Sequence, residues 1–124
     1  MADFAAVTWT VRPGTEGEVQ QLFRESGRPS HDILDADGDQ VGRLLSTVVF
    51  MHGNRVVRVL EFEGSLPDVM RHMAQQPELQ ELEKKLDEYL EVKRDTSSPE
   101  KFREYFVNSI MTNVIHRTRD DVAA

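Results

Sequence analysis

The stretch "GRLLSTVVFMHGNRVVRVLEFE" at residues 42–63 determines the fold. Its two halves, residues 42–51 and 55–63, are rich in β-branched and other apolar side chains, which is typical of strands. The segment "HGN" between them is a short connection that contains glycine, and such connections favour a tight turn. We therefore predict an antiparallel β-hairpin here, with His52 exposed at its turn.

Upstream of the hairpin, the sequence predicts one strand and one helix. Residues 4–11, "FAAVTWTV", are β-branched and aromatic, and a Pro-Gly pair follows them, so they are predicted to form a strand. Residues 15–26 place apolar side chains three and four positions apart, which is the period of an amphipathic helix. Thr15 and Glu18 fit a capping box at its start.

Downstream of the hairpin, the pattern is helical. Residues 66–74 predict a short helix, and Pro77 begins a second one whose apolar stripe runs through Leu90. The charged residues of that second helix are interpreted as a solvated outer face. Ser98 is positioned to cap a further short helix over residues 99–106.

Residues 109–118, "SIMTNVIHRT", alternate in polarity and predict a final strand. The predicted order is that of an α+β, ferredoxin-like β-α-β-β-α-β sandwich, with extra helical turns before the last strand. We predict a single domain over residues 1–124, in which 118–124 form a frayed tail. Helices on one face leave the other face of the sheet open and apolar, which favours a homodimer joined sheet to sheet.

Composition limits the class of protein. The chain of 124 residues has a net charge of −7 and no cysteine. The acidic balance argues against nucleic-acid and membrane-surface partners, and the lack of thiols excludes disulfides, thiolate zinc sites and cysteine nucleophiles. The amino terminus has no signal-peptide pattern and no apolar run is long enough to span a bilayer, so a cytoplasmic location is expected.

The run "DADGDQVG" at residues 35–42 resembles the start of a calcium loop, but two decisive positions differ. Gln40 stands where the loop needs glycine, and Ser46 stands where it needs a bidentate glutamate. We predict a polar turn instead, with no metal. The sequence also lacks phosphate-binding glycine motifs and compact histidine pairs, so no cofactor is predicted.

Several polar side chains fall within predicted strands or beside them. Arg58 lies mid-strand among apolar residues, and if it is buried it needs a carboxylate, from Glu61 or Glu63, or an anionic ligand. His72 is a partly buried acid–base candidate or a histidine at the edge of a helix. His116 and Arg117 end the predicted last strand, so their side chains are expected on opposite faces.

Three further residues are candidates for binding a ligand. Trp9 is the single tryptophan and is expected either in the core or stacked on a flat aromatic ligand. Asn113 is a polar side chain among apolar neighbours, and a ligand is one candidate for its hydrogen-bond partner. His31 lies in the long loop before the hairpin and is either an exposed loop residue or part of the lid of a pocket.

The segments "VVFMHGNRVVRVLEFEG", "VMRHMAQQPELQELEKKL", "RDTSSPEKFREYF" and "IMTNVIHR" resemble the SchA/CurD-like family. The resemblance extends over residues 4–117. It implies a bacterial protein associated with gene clusters for aromatic polyketides such as spore pigments. It also implies kinship with dimeric α/β-barrel proteins, a group that contains polyketide cyclases and cofactor-independent monooxygenases.

The resemblance implies a small-molecule substrate, a poly-β-ketone or a polycyclic aromatic intermediate, and cyclase-like action on it without a cofactor. His72 matches the "HMA" segment of the family, and Arg58, His116 and Arg117 match its strand segments. On this hypothesis His72 or His116 is the general acid or base, and Arg58 or Arg117 stabilises an enolate oxygen. Trp9 would stack on the rings and Asn113 would orient a carbonyl.

Two other functions agree with the same resemblance. One is a monooxygenase of the same pathway that uses no cofactor. The other is a non-catalytic accessory protein that binds the polyketide or contacts components of the synthase. Oxygen uptake separates the monooxygenase from the cyclase, and an effect only in the presence of the synthase identifies the accessory protein.

Overall fold

The computed structural model of the protein describes residues 2–95 and 97–119. In these residues the chain forms four strands and four helices, which confirms an α+β architecture. In chain order they are β1 (Asp3–Thr10), α1 (Glu16–Glu25), β2 (Asp32–Leu34), β3 (Gln40–His52), β4 (Arg55–Glu63), α2 (Leu66–Gln75), α3 (Pro77–Leu86) and α4 (Pro99–Ser109).

The strands form one antiparallel sheet in the order β1-β4-β3-β2. The predicted hairpin is its centre, and the pairing of His52 with Arg55 leaves Gly53 and Asn54 as the turn. Gly53 has a φ of 56°, a conformation that glycine adopts without strain. The hairpin prediction is therefore confirmed, including the exposed His52.

The aspartate run forms the turn of a second hairpin, β2–β3, which the sequence did not predict as a pair of strands. The Asp35 carboxylate accepts hydrogen bonds of 2.9 Å from the backbone amides of Asp37 and Asp39. Gly38 follows the tight path with a φ of 85°. The prediction of a polar turn is confirmed, because Asp35 uses its carboxylate to fold its own backbone.

The predicted last strand over residues 109–118 is wrong. Helix α4 continues to Ser109, and only Ile110 forms an isolated antiparallel bridge, to Val7 of β1. One further hydrogen bond of 2.7 Å joins the Met111 amide to the Ala6 carbonyl. Beyond it, residues within 112–116 line a cavity on the face of the sheet away from the helices. There the His116 ring contacts the Phe4 ring. The predicted frayed tail falls mostly on residues 120–124, which lie outside the described residues.

The four helices pack on one face of the sheet and bury it. Val56, Leu60 and Phe62 of β4 point toward the helices. Helices α2, α3 and α4 cover them with buried side chains that include Met73, Leu82 and Phe102. None of the helices in the described part of the chain is both long and apolar enough to cross a membrane.

Two local predictions about the helices need correction. The Thr15 hydroxyl does not cap α1; it donates instead to the Arg12 carbonyl at 2.7 Å. Helix α3 ends at Leu86 rather than continuing through Leu90, because the following backbone pairs with the end of β1. The Arg12 amide donates to the Tyr89 carbonyl at 2.7 Å, which covers a free strand edge.

The predicted Ser98 cap of α4 is confirmed, because the Ser98 hydroxyl accepts a hydrogen bond from the Lys101 amide.

The face of the sheet away from the helices carries apolar side chains from three adjacent strands. The strand register places Val48 beside Val59 and Phe50 beside Val57 on this face. Phe4 of β1, Val48 and Phe50 are exposed large apolar residues. We call this surface the open face. Its presence agrees with the sequence-based expectation of an uncovered apolar sheet.

Candidate functional site

Arg58 is buried on the helix side of the sheet. It lies in the middle of β4, between Val7 of β1 and Val49 of β3, and retains 4% of its exposed area. Alternation along the strand carries its side chain to the same face as Val56 and Leu60. A guanidinium in this position requires charge compensation and acceptors.

The carboxylates that the sequence predicted for Arg58 lie on the wrong face. Glu61 and Glu63 lie three and five residues after Arg58. Because side chains alternate between faces along a strand, both belong to the open face. Glu61 accepts a hydrogen bond of 3.0 Å from the Ser46 hydroxyl there. The carboxylate whose charge acts on Arg58 is Glu83 of α3. Burial lowers the pKa of Arg58, and attraction to Glu83 opposes that shift.

Glu83 is itself buried and forms an ion pair with Arg94. Arg94 also donates from Nε to the Asp87 carboxylate at 2.8 Å, and its guanidinium lies 4.5 Å from the Tyr105 ring centre. Burial raises the pKa of the Glu83 carboxyl, while the nearby Arg94 and Arg58 oppose this effect. The interpretation of the α3 charges as a uniformly solvated face is therefore wrong at Glu83.

Two nitrogens of Arg58, Nε and Nη1, have no hydrogen-bond partner in the described chain. Buried donors are nearly always satisfied, so this side chain needs an acceptor that the protein does not provide. Arg58 lines a cavity of about 460 Å³ between α1, the loop over residues 26–31 and strand β3. We call it the Arg58 cavity. A volume of this size is typical of a small-molecule site.

The walls of the Arg58 cavity combine apolar and basic groups. Phe23, Leu44 and Val49 provide apolar surface, and the Phe23 ring centre lies 6.0 Å from the Arg58 guanidinium carbon. The other lining residues include His31, Arg24, Arg28, Ser46 and Thr47. His31, predicted as part of a pocket lid, thus lines the same cavity as Arg58.

His72 does not line this cavity but fixes the loop that does. Its Nε2 lies 2.7 Å from the Ser30 carbonyl oxygen, so this nitrogen donates. Its Nδ1 lies 3.4 Å from the side-chain amide nitrogen of Gln76, which donates to it. Gln76 in turn accepts from the Ser30 backbone amide at 3.0 Å. Both ring nitrogens of this buried histidine are therefore engaged in holding the 26–31 loop.

Trp9 lies in the core, as one of the two predictions for it stated. It is 6% exposed and meets the Phe23 ring edge-on, with ring centres 6.2 Å apart. Its indole nitrogen has no hydrogen-bond partner among the described residues. Trp9 is not among the residues that line the Arg58 cavity, whereas the Phe23 ring that it contacts is.

The C-terminal candidates lie on the other side of the sheet. Asn113 and His116 line a separate cavity of about 320 Å³ on the open face, together with Phe4 and Val59. His116 meets Phe4 edge-on with ring centres 5.1 Å apart, and Arg117 is exposed. The sheet thus separates Asn113 and His116 from Arg58 and His31.

A third cavity, of about 490 Å³, lies between the end of α3 and the start of α4. Its polar groups already bind one another: Arg94 pairs with Glu83 and Asp87, and Asp95 pairs with Lys101 at 2.7 Å. The described residues contain no group of three or more acidic or histidine side chains that could hold a metal ion. The Arg58 cavity is the one in which a buried charged group remains unsatisfied.

Sequence reasoning missed Phe23, Arg24 and Arg28 as cavity residues and Glu83 as a buried charge. A signal for Glu83 was present, because Leu79, Leu82 and Leu86 define the apolar face of α3 and position 83 falls on that face. No comparable signal marked Arg24 and Arg28. Arg24 lines the cavity from the last turn of α1, and Arg28 lines it from the following loop, which His72 and Gln76 hold at Ser30.

The family model described as SchA/CurD like domain matches residues 2–119. Among curated relatives, the 42.8 kDa protein in the whiE locus of Streptomyces coelicolor is 43% identical over 94% of this chain and 28% of its own length. The polyketide synthase CurD of Streptomyces cyaneus is 40% identical over 92% of this chain and 30% of its own length. Protein SchA of Streptomyces halstedii is 35% identical over 90% of this chain and 28% of its own length.

No solved structure matches the chain significantly. The chain spans less than a third of the length of these three relatives. The family match itself covers nearly every residue, including Arg58, His31 and the whole sheet. The chain therefore belongs to the family of SchA/CurD-like domains.

Proposed function

We propose that the protein acts in aromatic polyketide biosynthesis and binds a poly-β-ketone or polycyclic aromatic intermediate in the Arg58 cavity. The observation that carries this proposal is the buried Arg58 guanidinium, whose Nε and Nη1 lack partners while it lines the cavity. Membership of the family supports the pathway, since one relative carries the name polyketide synthase. The apolar walls fit the carbon skeleton of such a ligand.

The proposed reaction is a cyclase-like ring closure. A poly-β-ketone has acidic methylene groups between pairs of carbonyls, and a base that removes one proton generates an enolate. The enolate carbon forms a bond to a second carbonyl of the same chain, and loss of one water completes an aromatic ring. Positioning the two carbons and stabilising the oxyanion are the main requirements, so the closure needs no cofactor.

Arg58 is the proposed oxyanion donor, because its side chain lines the cavity and no carboxylate pairs with it in the described residues. His31 is the proposed general base, since it is the histidine that lines the Arg58 cavity. His72 acts in this proposal by holding the 26–31 loop. The roles predicted for His116, Asn113 and Arg117 at the substrate site stay predictions, and Asn113 and His116 line a cavity across the sheet from Arg58.

We also propose a homodimer in which a second copy covers the open face, which would give the dimeric α/β barrel. Support comes from Val48 and Phe50 of β3, which the register places beside Val59 and Val57 of β4 on this face. The bridge between Val7 and Ile110 places the C-terminal segment beside β1, where the last strand of a ferredoxin-like unit pairs. A face that is apolar on two identical chains fits a two-fold interface.

The test of the proposed function is reconstitution with an aromatic polyketide synthase, followed by product profiling. We expect the wild-type protein to change the distribution of cyclised products, and Arg58→Met to abolish that change. Arg55→Met, on the exposed end of the same strand, is the matched control and is expected to act like wild type. A wild-type protein that leaves the products unchanged would contradict the proposal.

Two measurements separate the cyclase from the other functions of the pathway. Oxygen consumption during turnover would identify a monooxygenase, because ring closure with loss of water consumes none. A change in products that requires the synthase and is absent with a preformed poly-β-ketone would identify an accessory protein. The cytoplasmic location stays a prediction, which fractionation of the producing cells would test.

A further inference from the structure

The two buried arginines differ in their partners. The side chains of Arg58, Arg94 and Glu83 are all nearly inaccessible, and Arg94 pairs with two carboxylates, Glu83 and the partly exposed Asp87. Glu83 pairs directly with Arg94, whereas two Arg58 nitrogens have no partner. A buried cation is strongly unfavourable unless an anion compensates it. Arg58, unlike Arg94, has no carboxylate paired with it in the described residues, and the charge of Glu83 acts on it without a direct ion pair.

All of the ionisable side chains that line the Arg58 cavity are basic. Arg24, Arg28 and His31 line it together with Arg58, and none of the lining residues is acidic. This is unusual in a chain whose net charge is −7. A cavity whose charged groups all have one sign favours entry of ligands of the opposite sign.

Arg24 and Arg28 are available to bind a ligand because the acidic residues that form ion pairs elsewhere do not pair with them. No carboxylate pairs with Arg24 or Arg28 in the described part of the chain, while Arg71, Arg94 and Lys101 each pair with an aspartate. Arg24 and Arg28 flank the entrance at the end of α1 and in the 26–31 loop. Arg58 lies deeper, between the sheet and Phe23.

We infer that the ligand of the Arg58 cavity binds as an anion, with a deprotonated oxygen on Arg58 and a flat apolar body against Phe23 and Val49. This inference rests on the proposed function for the assignment of the cavity, and it adds the charge of the bound ligand. The oxygen is either a carboxylate or an acidic enol conjugated with carbonyl groups. Both present a charged acceptor to the Arg58 guanidinium that lines the cavity.

The experiment is isothermal titration calorimetry of the full chain with two matched pairs of aromatic probes. The first pair is 2-naphthoate, a carboxylate, and 2-naphthamide, its neutral counterpart. The second pair is 2-hydroxynaphthoquinone, an acidic enol, and naphthoquinone, its neutral parent. We expect the anion of at least one pair to bind about tenfold to a hundredfold more tightly than its neutral counterpart. The pair that shows the larger preference identifies whether the oxygen belongs to a carboxylate or to an acidic enol.

Variants of Arg58 test whether the preference for anionic probes depends on this side chain. Arg58→Met keeps the length and apolar stem of the side chain and is expected to abolish the preference for anions. Arg55→Met removes a charge from the exposed end of the same strand and is expected to leave it intact. Arg58→Lys retains the charge and part of the preference, so it keeps the test decisive if the methionine variant does not fold, as judged by circular dichroism.

The outcomes distinguish this inference from the proposed function. Equal binding of anionic and neutral probes to the wild-type protein would overturn the inference and leave the cavity as the substrate site. A preference that survives Arg58→Met would also overturn it, because the anions would then bind elsewhere. Failure of all four probes to bind would contradict the assignment of the cavity, and with it the proposed function.

Discussion

The His72 imidazole and the Ser30 carbonyl are joined by a hydrogen bond of 2.7 Å that connects α2 to the wall of the Arg58 cavity. The Ser30 amide is bound as well, through Gln76, so both backbone groups of one loop residue are held by α2 and its C-terminal cap. A loop with two fixed points on a helix has few conformations left. His72 is therefore placed to determine the shape of the cavity from behind its wall.

We predict that His72→Phe lowers the free energy of unfolding by about 1–3 kcal/mol, because the Ser30 carbonyl loses its partner while the ring volume is retained. We also expect weaker binding of aromatic anions. Chemical denaturation and calorimetry measure the two effects. His72→Gln, whose amide can donate to Ser30, is expected to restore part of both. If His72 were the general base, His72→Phe would leave ligand binding intact and abolish turnover alone.

The sequence predicted the centre of the sheet well because β3 and β4 are rich in β-branched and other apolar side chains and are joined by a short turn that contains glycine. It did not predict β2, because a strand of three residues owes its existence to pairing with β3 rather than to its own pattern. The prediction of a last strand was wrong because the sequence pattern of a strand is present but most of the pairing is not. Residues 109–118 alternate in polarity, but alternation cannot show that only Ile110 and Met111 bond to β1.

The candidate site was predicted in part. Arg58 was identified because a charge within an apolar strand demands an explanation, and His31 was identified from its position before the hairpin. The sequence could not show that Asn113 and His116 lie across the sheet from them, since that depends on where the C-terminal segment leaves β1. Nor could it place the Phe23 ring close to both Trp9 and Arg58, which depends on how α1 packs on the sheet.

We predict that Glu83→Gln destabilises the protein by about 3–5 kcal/mol, because Arg94 would keep only the partly exposed Asp87 as a partner and Arg58 would lose the buried charge that acts on it. The double variant Glu83→Leu/Arg94→Met should recover part of that loss. Urea denaturation of the single and double variants measures the coupling. Lys85→Met is the control, since its pair with Glu81 is exposed, and it should change stability by less than about 0.5 kcal/mol. Additive effects of the single substitutions at 83 and 94 would show that the pair does not contribute.

We predict that the wild-type protein is a dimer of the 14.2 kDa chain and that Phe50→Asp converts it to a monomer. Phe50 is 61% exposed on the open face beside Val57, where a carboxylate would be buried by a second copy. Size-exclusion chromatography with light scattering gives the mass. Val92→Asp is the control, because Val92 is 78% exposed and lies on the loop after α3. A monomeric wild-type protein at high concentration would rule out the interface.

The close approach of β3 and β4 at the end of the hairpin requires a glycine at position 42. A Cβ placed on Gly42 would lie 2.6 Å from the Glu63 carbonyl oxygen, which is backbone and cannot move aside as a side chain could. We expect Gly42→Ala to separate the two strands and lower the free energy of unfolding by about 1–3 kcal/mol.

The matched control for that substitution is Gly17→Ala. Gly17 lies in α1 with open space where a Cβ would project, and alanine favours the helix by up to about 1 kcal/mol. The two substitutions add the same methyl group, so thermal or urea denaturation should show effects of opposite sign. Equal effects at both positions would mean that β3 and β4 do not approach as closely at Gly42 as the structure indicates.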